Sequence, residues 1–174
     1  MLIVPGRGRV GGRAALGVTR SSALVVPSAD DHPGPVSWSV SSPGVVVLPT
    51  GLAVRGRSLQ TDLGPADLTL VLGSSPAPPW PHRRVRWPDF WVPLDRLDAL
   101  AALSDAYARA GVGQRVEVGC RGGVGRTGTA LAALAVLDGL APEEAVSWVR
   151  RAYRPRAVET SWQRRWLRHV ASAR

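Results

Sequence analysis

The sequence contains no lysine, so all 22 of its basic residues are arginines. Abundant Ala, Arg, Gly, Pro and Val without lysine is the signature of a GC-rich coding bias, which accounts for the count. The formal net charge of +9 still steers anionic partners inward. Nucleic acid is one such partner, but no recognition motif accompanies the charge, and this reading ranks last. Cysteine occurs once, at Cys120. A single thiol excludes an internal disulfide and a thiolate-rich zinc site, and leaves either a small buried hydrophobe or a nucleophile. No run approaches the roughly 18 apolar residues of a membrane span. No apolar block with a small-residue cleavage site follows the N-terminal arginines, so the expectation is a cytoplasmic protein without a membrane partner. No metal or other cofactor is called for.

What is present suits one folded domain. The chain has 174 residues, 45% of them hydrophobic, enough for a full core. Residues 1–35 are rich in Gly, Arg, Ser and Pro, with no acidic residue before Asp30. They read as a flexible leader ahead of a folded domain over 36–174. Val36–Val40, Val45–Leu48 and Leu52–Val54 read as short strands broken by Pro43, Pro49 and Gly51. Arg55 ends the last apolar run early. Leu68–Leu72 reads as a buried strand, Ser74–Pro81 as a Pro-rich loop, and Arg83–Trp87 as a further strand.

Helical patterns follow. Apolar residues at Leu94, Leu97, Leu100, Leu103 and Tyr107 predict one face of a helix over Leu94–Ala110, stopped by Gly111 and Gly113. Val116 and Val118 mark a short strand. Thr127–Leu140 predicts a buried Ala/Leu-rich helix. Pro142, with Glu143 and Glu144 in the first turn, opens another helix to about Tyr153, and a last one spans Thr160–Ala171. Strands first, then a strand–loop–helix unit and more helices, imply an α/β sheet covered by helices.

The chemistry concentrates in Val116–Thr129, VEVGCRGGVGRTGT. Gly122, Gly123 and Gly125 allow the backbone around Val124 to curl so that successive amides point into one hollow. The helix that follows adds the positive end of its dipole, and such a hollow binds a tetrahedral oxyanion. Cys120 opens the loop and Arg126 closes it, with five residues between them. The arginine fork bonds two phosphate oxygens at once. The thiolate is the attacking form of cysteine, positive surroundings favour it, and Thr127 supplies a hydroxyl within reach of the sulfur. A nucleophile inside an anion cradle is an arrangement for covalent phosphotransfer. A nucleotide-binding phosphate loop has nearly the same spacing. It requires Gly and Lys where this chain has Cys120 and Arg126, so both defining positions depart from it.

Cys, five residues, Arg, Thr, Gly resembles the signature loop of the protein tyrosine phosphatase superfamily. Two further segments carry the same resemblance. Trp87-Pro-Asp-Phe-Trp-Val-Pro93 resembles the mobile acid loop, with Trp91 where Gly is usual, and Asp89 lies 31 positions before Cys120. Arg156–Gln163 resembles the glutamine loop. The likeness runs from about residue 44 to the C-terminus, and Arg115–Leu137 with Arg150–Arg168 is particularly similar to small bacterial tyrosine or dual-specificity phosphatases.

The resemblance implies a single domain with a central, largely parallel sheet of four or five strands flanked by helices. The signature loop would lie between a strand and a helix. It implies Cys120 as nucleophile, Arg126 as phosphate clamp, Asp89 as general acid, and Gln163 as the residue positioning the hydrolytic water. Arg121, Gly122, Gly123, Val124 and Gly125 would complete the phosphate cradle. The implied activity is hydrolysis of phosphomonoesters, in particular phosphotyrosine or dual-specificity protein substrates, without a metal or other cofactor. The alternative is a phosphate-binding module with little or no catalysis. Gly119 stands where the family usually has the histidine that helps order the loop and tune the thiol. No segment resembles the deep phosphotyrosine-selecting loop. Glu159 has two readings, a helix N-terminal charge or a carboxylate orienting Arg126. Arg121 also has two, a contact to a multiply phosphorylated substrate or an outward surface arginine. Arg55 and Arg57 are expected to add charge near the mouth.

Overall fold

A computed structural model describes residues 37–173. The leader expected over 1–35 lies outside the described residues. Nine elements follow in chain order: β1 (Val45–Val47), β2 (Ala53–Ser58), β3 (Leu68–Leu72), β4 (His82–Val85), α1 (Arg96–Gly111), β5 (Val116–Cys120), α2 (Gly125–Leu137), α3 (Pro142–Ala152) and α4 (Ser161–Ser172). The five strands form one sheet in the order β1-β2-β5-β3-β4. Only β1 is antiparallel to its neighbour; β2, β5, β3 and β4 run parallel. β5 therefore lies mid-sheet and ends at Cys120, at the carboxyl edge where such sheets place ligands.

The strands differ from their sequence pattern in ways burial explains. β3 and β5 are buried along their whole lengths, as near-continuous apolar strands of a parallel sheet should be. β2 does not stop at Arg55 but continues to Ser58, with Arg55 and Arg57 inside the protein. Glu117 on β5 makes this possible. Arg55 Nε donates to its Oε2 at 2.8 Å and Arg57 Nε at 3.0 Å, while Thr69 on β3 donates to Oε1 at 2.7 Å. Arg55 also donates to the carbonyls of Leu63 and Gly64, and Arg57 to that of Thr61. The two arginines expected near the mouth are thus structural cations, satisfied inside the sheet. Burial draws the Arg55 guanidinium below its ordinary range, against the opposing pull of Glu117.

Ser37–Val40 form no strand. Trp38 instead donates its indole N–H to the Val116 carbonyl at 2.8 Å and lies 3.8 Å from the Arg55 guanidinium, capping the cationic network.

α1 keeps the later part of the expected face inward, with Leu103 buried and Leu100 and Tyr107 packed against the core, whereas Leu94 precedes the helix. Leu94 and Leu97 are exposed, and the buried stripe is Ala99, Ala102, Leu103, Ala106 and Ala110. The alanines let the helix approach closely, and Asp95 fixes its start by accepting the Asp98 amide at 2.9 Å. α2 is buried on every side, packed against β5, β2 and the other three helices. Truncating Leu131 or Leu134 to alanine would cost about 2–5 kcal/mol. α4 begins at a capping box in which Thr160 accepts the Gln163 amide and Gln163 accepts the Thr160 amide.

Candidate active site

The loop from Cys120 to Arg126 joins β5 to α2. Cys120 Sγ is buried and accepts two hydrogen bonds, from the Gly123 amide at 3.2 Å and from Thr127 Oγ1 at 3.1 Å. Thr127 Oγ1 also lies 3.5 Å from the Arg57 carbonyl, but its single proton serves the closer sulfur. Two donors converging on sulfur solvate negative charge there. Val124, the N-cap of α2, offers no side-chain cap, so the first-turn amides are left for an external acceptor. Tyr153 fixes the far side of the loop by donating to the Gly123 carbonyl at 2.7 Å, and burial pushes its phenol above the ordinary range.

Arg126 is buried, with its guanidinium held at the loop opening. Nη1 donates to the Trp87 carbonyl at 3.2 Å, Nη2 lies 3.2 Å from Asp89 Oδ1, and Nε has no partner. Gly73 makes the reach possible. Its φ is +92°, and a Cβ there would stand 2.4 Å from Nη1 and 2.8 Å from the Trp87 carbonyl. No ion pair joins Glu159 to Arg126; the Glu159 carboxylate packs against the Cα of Gly125, and Glu159 is exposed. Glu159 precedes Thr160, the N-cap of α4, and lies outside that helix's first turn.

The acid loop is anchored at both ends. Trp87 is almost fully buried, packs edge-on to Trp166 of α4 at 4.9 Å, and donates its indole N–H to the Trp91 carbonyl at 2.8 Å. Trp91, at the position where glycine is usual, lies 5.2 Å from the ring of Trp162 on α4. Phe90 between them has φ of +56°, a left-handed conformation a bulky residue adopts only under constraint. Asp89 is thereby presented at the site with its side chain 62% exposed.

Gln163 is placed differently. It is fully buried, and its Oε1 accepts the Glu159 amide at 2.7 Å and the Thr160 amide at 3.2 Å. Its Nε2 is buried without a partner. The side chain does not line the cavity that opens beside Arg126.

Gly119 has a local cause. A Cβ at this position would meet Leu59 at 2.6 Å and the Arg57 carbonyl at 3.3 Å. Leu59 fills the volume a side chain before the cysteine would need. Sequence reasoning missed this, and it missed the Arg55–Glu117–Arg57 network. A glutamate inside a strand three residues before a nucleophile was the available signal for the network. For Leu59 there was none.

The cavity has a volume of about 770 Å³, and Arg121, Arg126 and Asp89 line it. Among the described residues, no group of three or more His, Cys, Asp or Glu side chains is placed to hold a metal ion. None of their helices is long and apolar enough to cross a membrane.

A parallel sheet with a cysteine-to-arginine oxyanion loop at its carboxyl edge defines a class, and comparison with known proteins agrees. Residues 94–173 match the family described as "PTP-SAK: Swiss Army Knife protein, DSP-PTPase phosphatase domain". The fold is similar to Tk-PTP in the active form, with a TM-score of 0.60, 26% identity, and coverage of 75% of this chain and 97% of that one. A mutant form of Tk-PTP gives a TM-score of 0.54 and 29% identity over 62% of this chain and 78% of that one. PTPMT1 in complex with PI(5)P shares the fold at a TM-score of 0.50 and 20% identity, covering 62% of this chain and 78% of the other. The chain is thus similar to the protein tyrosine phosphatase superfamily in its fold and in its matched segment. The matched segment is similar to a phosphatase domain of the dual-specificity type.

Proposed function

We propose that the protein hydrolyses phosphomonoesters, in particular those of phosphotyrosine or mixed phosphoprotein substrates, through a cysteinyl-phosphate on Cys120. The observation that carries this reading is the pairing of Cys120 Sγ, held by two donors, with the Arg126–Asp89 contact at the mouth of the same loop. Phosphate entering the loop takes the unpartnered first-turn amides and the Arg126 donors, displacing Asp89 Oδ1 from Nη2. Sulfur then attacks phosphorus in line, and the bond to the leaving oxygen breaks. The loop amides and the guanidinium hold the equatorial oxygens as charge develops, so these groups supply the stabilisation a metal would otherwise give. Asp89, released from the clamp, takes up a proton from solvent and passes it to the leaving oxygen, which leaves Asp89 a carboxylate.

In the second step Asp89, now a carboxylate, takes a proton from water. The water oxygen displaces sulfur from phosphorus, which frees phosphate and restores the thiolate. A cytoplasmic setting keeps Cys120 reduced.

The test is hydrolysis of p-nitrophenyl phosphate by purified protein in EDTA and reductant. Turnover that vanadate inhibits and that Cys120→Ser abolishes is expected, with Asp89→Asn lowering kcat far more than substrate affinity. Full activity in Cys120→Ser overturns the mechanism. A folded protein that binds vanadate or phosphate but turns nothing over is a phosphate-binding module instead.

A further inference from the structure

The cavity beside Arg126 carries more positive charge than one phosphate needs. Arg84, Arg86 and Arg121 line it together with Arg126. Arg84 is committed to the loop wall, donating to the Gly73 carbonyl and, at 2.9 Å, to that of Ser75. Arg126 is engaged by Trp87 and Asp89. Arg86 and Arg121 are different. Both are exposed, and among the described residues neither guanidinium has a hydrogen bond or an ion pair. Asp89 is the acidic residue lining the cavity, and it faces Arg126. Two free guanidinium groups therefore border a volume of about 770 Å³, far more than a single phosphate occupies.

Their placement is fixed by the fold. Arg121 follows the cysteine directly, so its backbone is set by the signature loop, and its carbonyl accepts Ser58 Oγ at 2.6 Å. Arg86 lies between β4 and the acid loop, with its carbonyl accepting the Leu94 amide at 2.9 Å. The two come from different elements and meet at one opening. Unpaired arginines in a concave site select oxyanions, and the planar fork matches phosphate better than a point charge would. Of the two readings of Arg121 in the sequence, its place in the cavity wall favours the one that touches substrate.

We propose that Arg86 and Arg121 form a second anion subsite, and that the substrate class is a bisphosphate: a phosphomonoester bearing another phosphate group within reach of the first. This rests on the phosphatase reading above. The first phosphate enters the signature loop and the second sits between the two free arginines. Hydrolysis cleaves the bound ester only. The water oxygen goes to phosphorus, a proton goes to the leaving alkoxide, and the product keeps the second phosphate.

The experiment compares a chain-length series of α,ω-alkanediol bisphosphates with the matched alkyl monophosphates. Phosphate release is measured, and p-nitrophenyl phosphate serves as the reference substrate. At one chain length the bisphosphate is expected to have a KM lower by about tenfold, the scale of one charged hydrogen-bonded contact. Arg86→Gln should bring the bisphosphate-to-monophosphate KM ratio close to one, and Arg86→Lys should restore part of it. The advantage should also shrink as salt rises. Cysteine-dependent hydrolysis of p-nitrophenyl phosphate with no bisphosphate preference at any length overturns the subsite and leaves the phosphatase reading standing. If nothing is turned over, calorimetric binding of the same pairs to the wild type and to Arg86→Gln decides the subsite alone. Equal affinity for bisphosphate and monophosphate overturns it; a preference that Arg86→Gln abolishes supports it.

Discussion

Glu117→Gln offers the sharpest test of how the sheet carries its charges. The glutamate is fully buried, Arg55 and Arg57 are 3% and 6% exposed, and both approach the same carboxylate oxygen, with Arg55 Nη2 at 2.6 Å. Glutamine keeps the shape and leaves an acceptor for Thr69, but it removes the one negative charge between two buried cations. Breaking a buried pair by removing one partner costs about 3–5 kcal/mol, because the other charge stays behind without compensation. Here two charges stay behind, so the upper half of that range is expected. Small domains are stable by about 5–15 kcal/mol in all, so the variant should be marginal. Urea unfolding at neutral pH measures the loss, with Asp67→Ala as the comparison. The Asp67–Arg115 pair is about one-third exposed and solvent-screened, which holds its worth to about 0–1 kcal/mol. A Glu117→Gln protein within about 1 kcal/mol of wild type would mean that the backbone carbonyls of Leu63, Gly64 and Thr61 satisfy the arginines unaided. The network would then lose its role as the reason β2 runs through to Ser58. Replacing Arg55 and Glu117 together by Met should cost less than the single change, since a matched apolar pair strands fewer charges.

Three further outcomes follow from the site. Trp91→Gly removes an aromatic pair worth about 0.5–1.5 kcal/mol, so it should shift the acid loop away from Arg126 and lower kcat by about two- to tenfold with little change in KM. Unchanged kcat in steady-state assays would show that Trp162 does not hold the loop. Gly73→Ala places a methyl against Arg126 Nη1 at a left-handed φ, a backbone strain of about 1–2 kcal/mol, so vanadate affinity should fall well beyond any loss of melting temperature. Equal vanadate titrations for variant and wild type would refute the clash. Hydrogen bonding from Arg115 holds the Asp67 carboxyl below its usual range. Its contribution to stability is therefore present above the unfolded value of about 3.9 and lost as pH falls through the lower folded value. Comparing wild type with Asp67→Asn, the stability difference should be flat from neutral pH down to about 5 and shrink only in stronger acid. A difference that changes between pH 6 and 8 would contradict this assignment.

The sequence alone determined the chemistry-bearing loops, because their information is local. Cys120, Arg126 and the glycines between them fall in one short stretch whose composition forces a tight turn onto a helix. Asp89 is legible for the same reason, in a Trp-Pro-Asp segment that reads as a loop. The buried runs of β3 and β5 and the Ala/Leu pattern of α2 also declare themselves, since burial on all sides leaves little but apolar residues. Tertiary structure decided everything that depends on partners distant in sequence. Arg55 looked like the end of a strand and lies within one, because Glu117 stands 62 positions away across the β2–β5 pairing. Leu94 and Leu97 matched a helical period yet face solvent, because Leu94 lies before α1 begins at Arg96 and Leu97 stands in its first turn. Gly119 departs from the pattern the sequence otherwise resembles, where Leu59 occupies the space beside it. Gln163 matched a loop motif, and the fold commits its carbonyl to a helix cap, a use that no spacing shows. Arg86 and Arg121 are 35 positions apart in the chain and border one cavity only because β4 and β5 flank the same strand of the sheet.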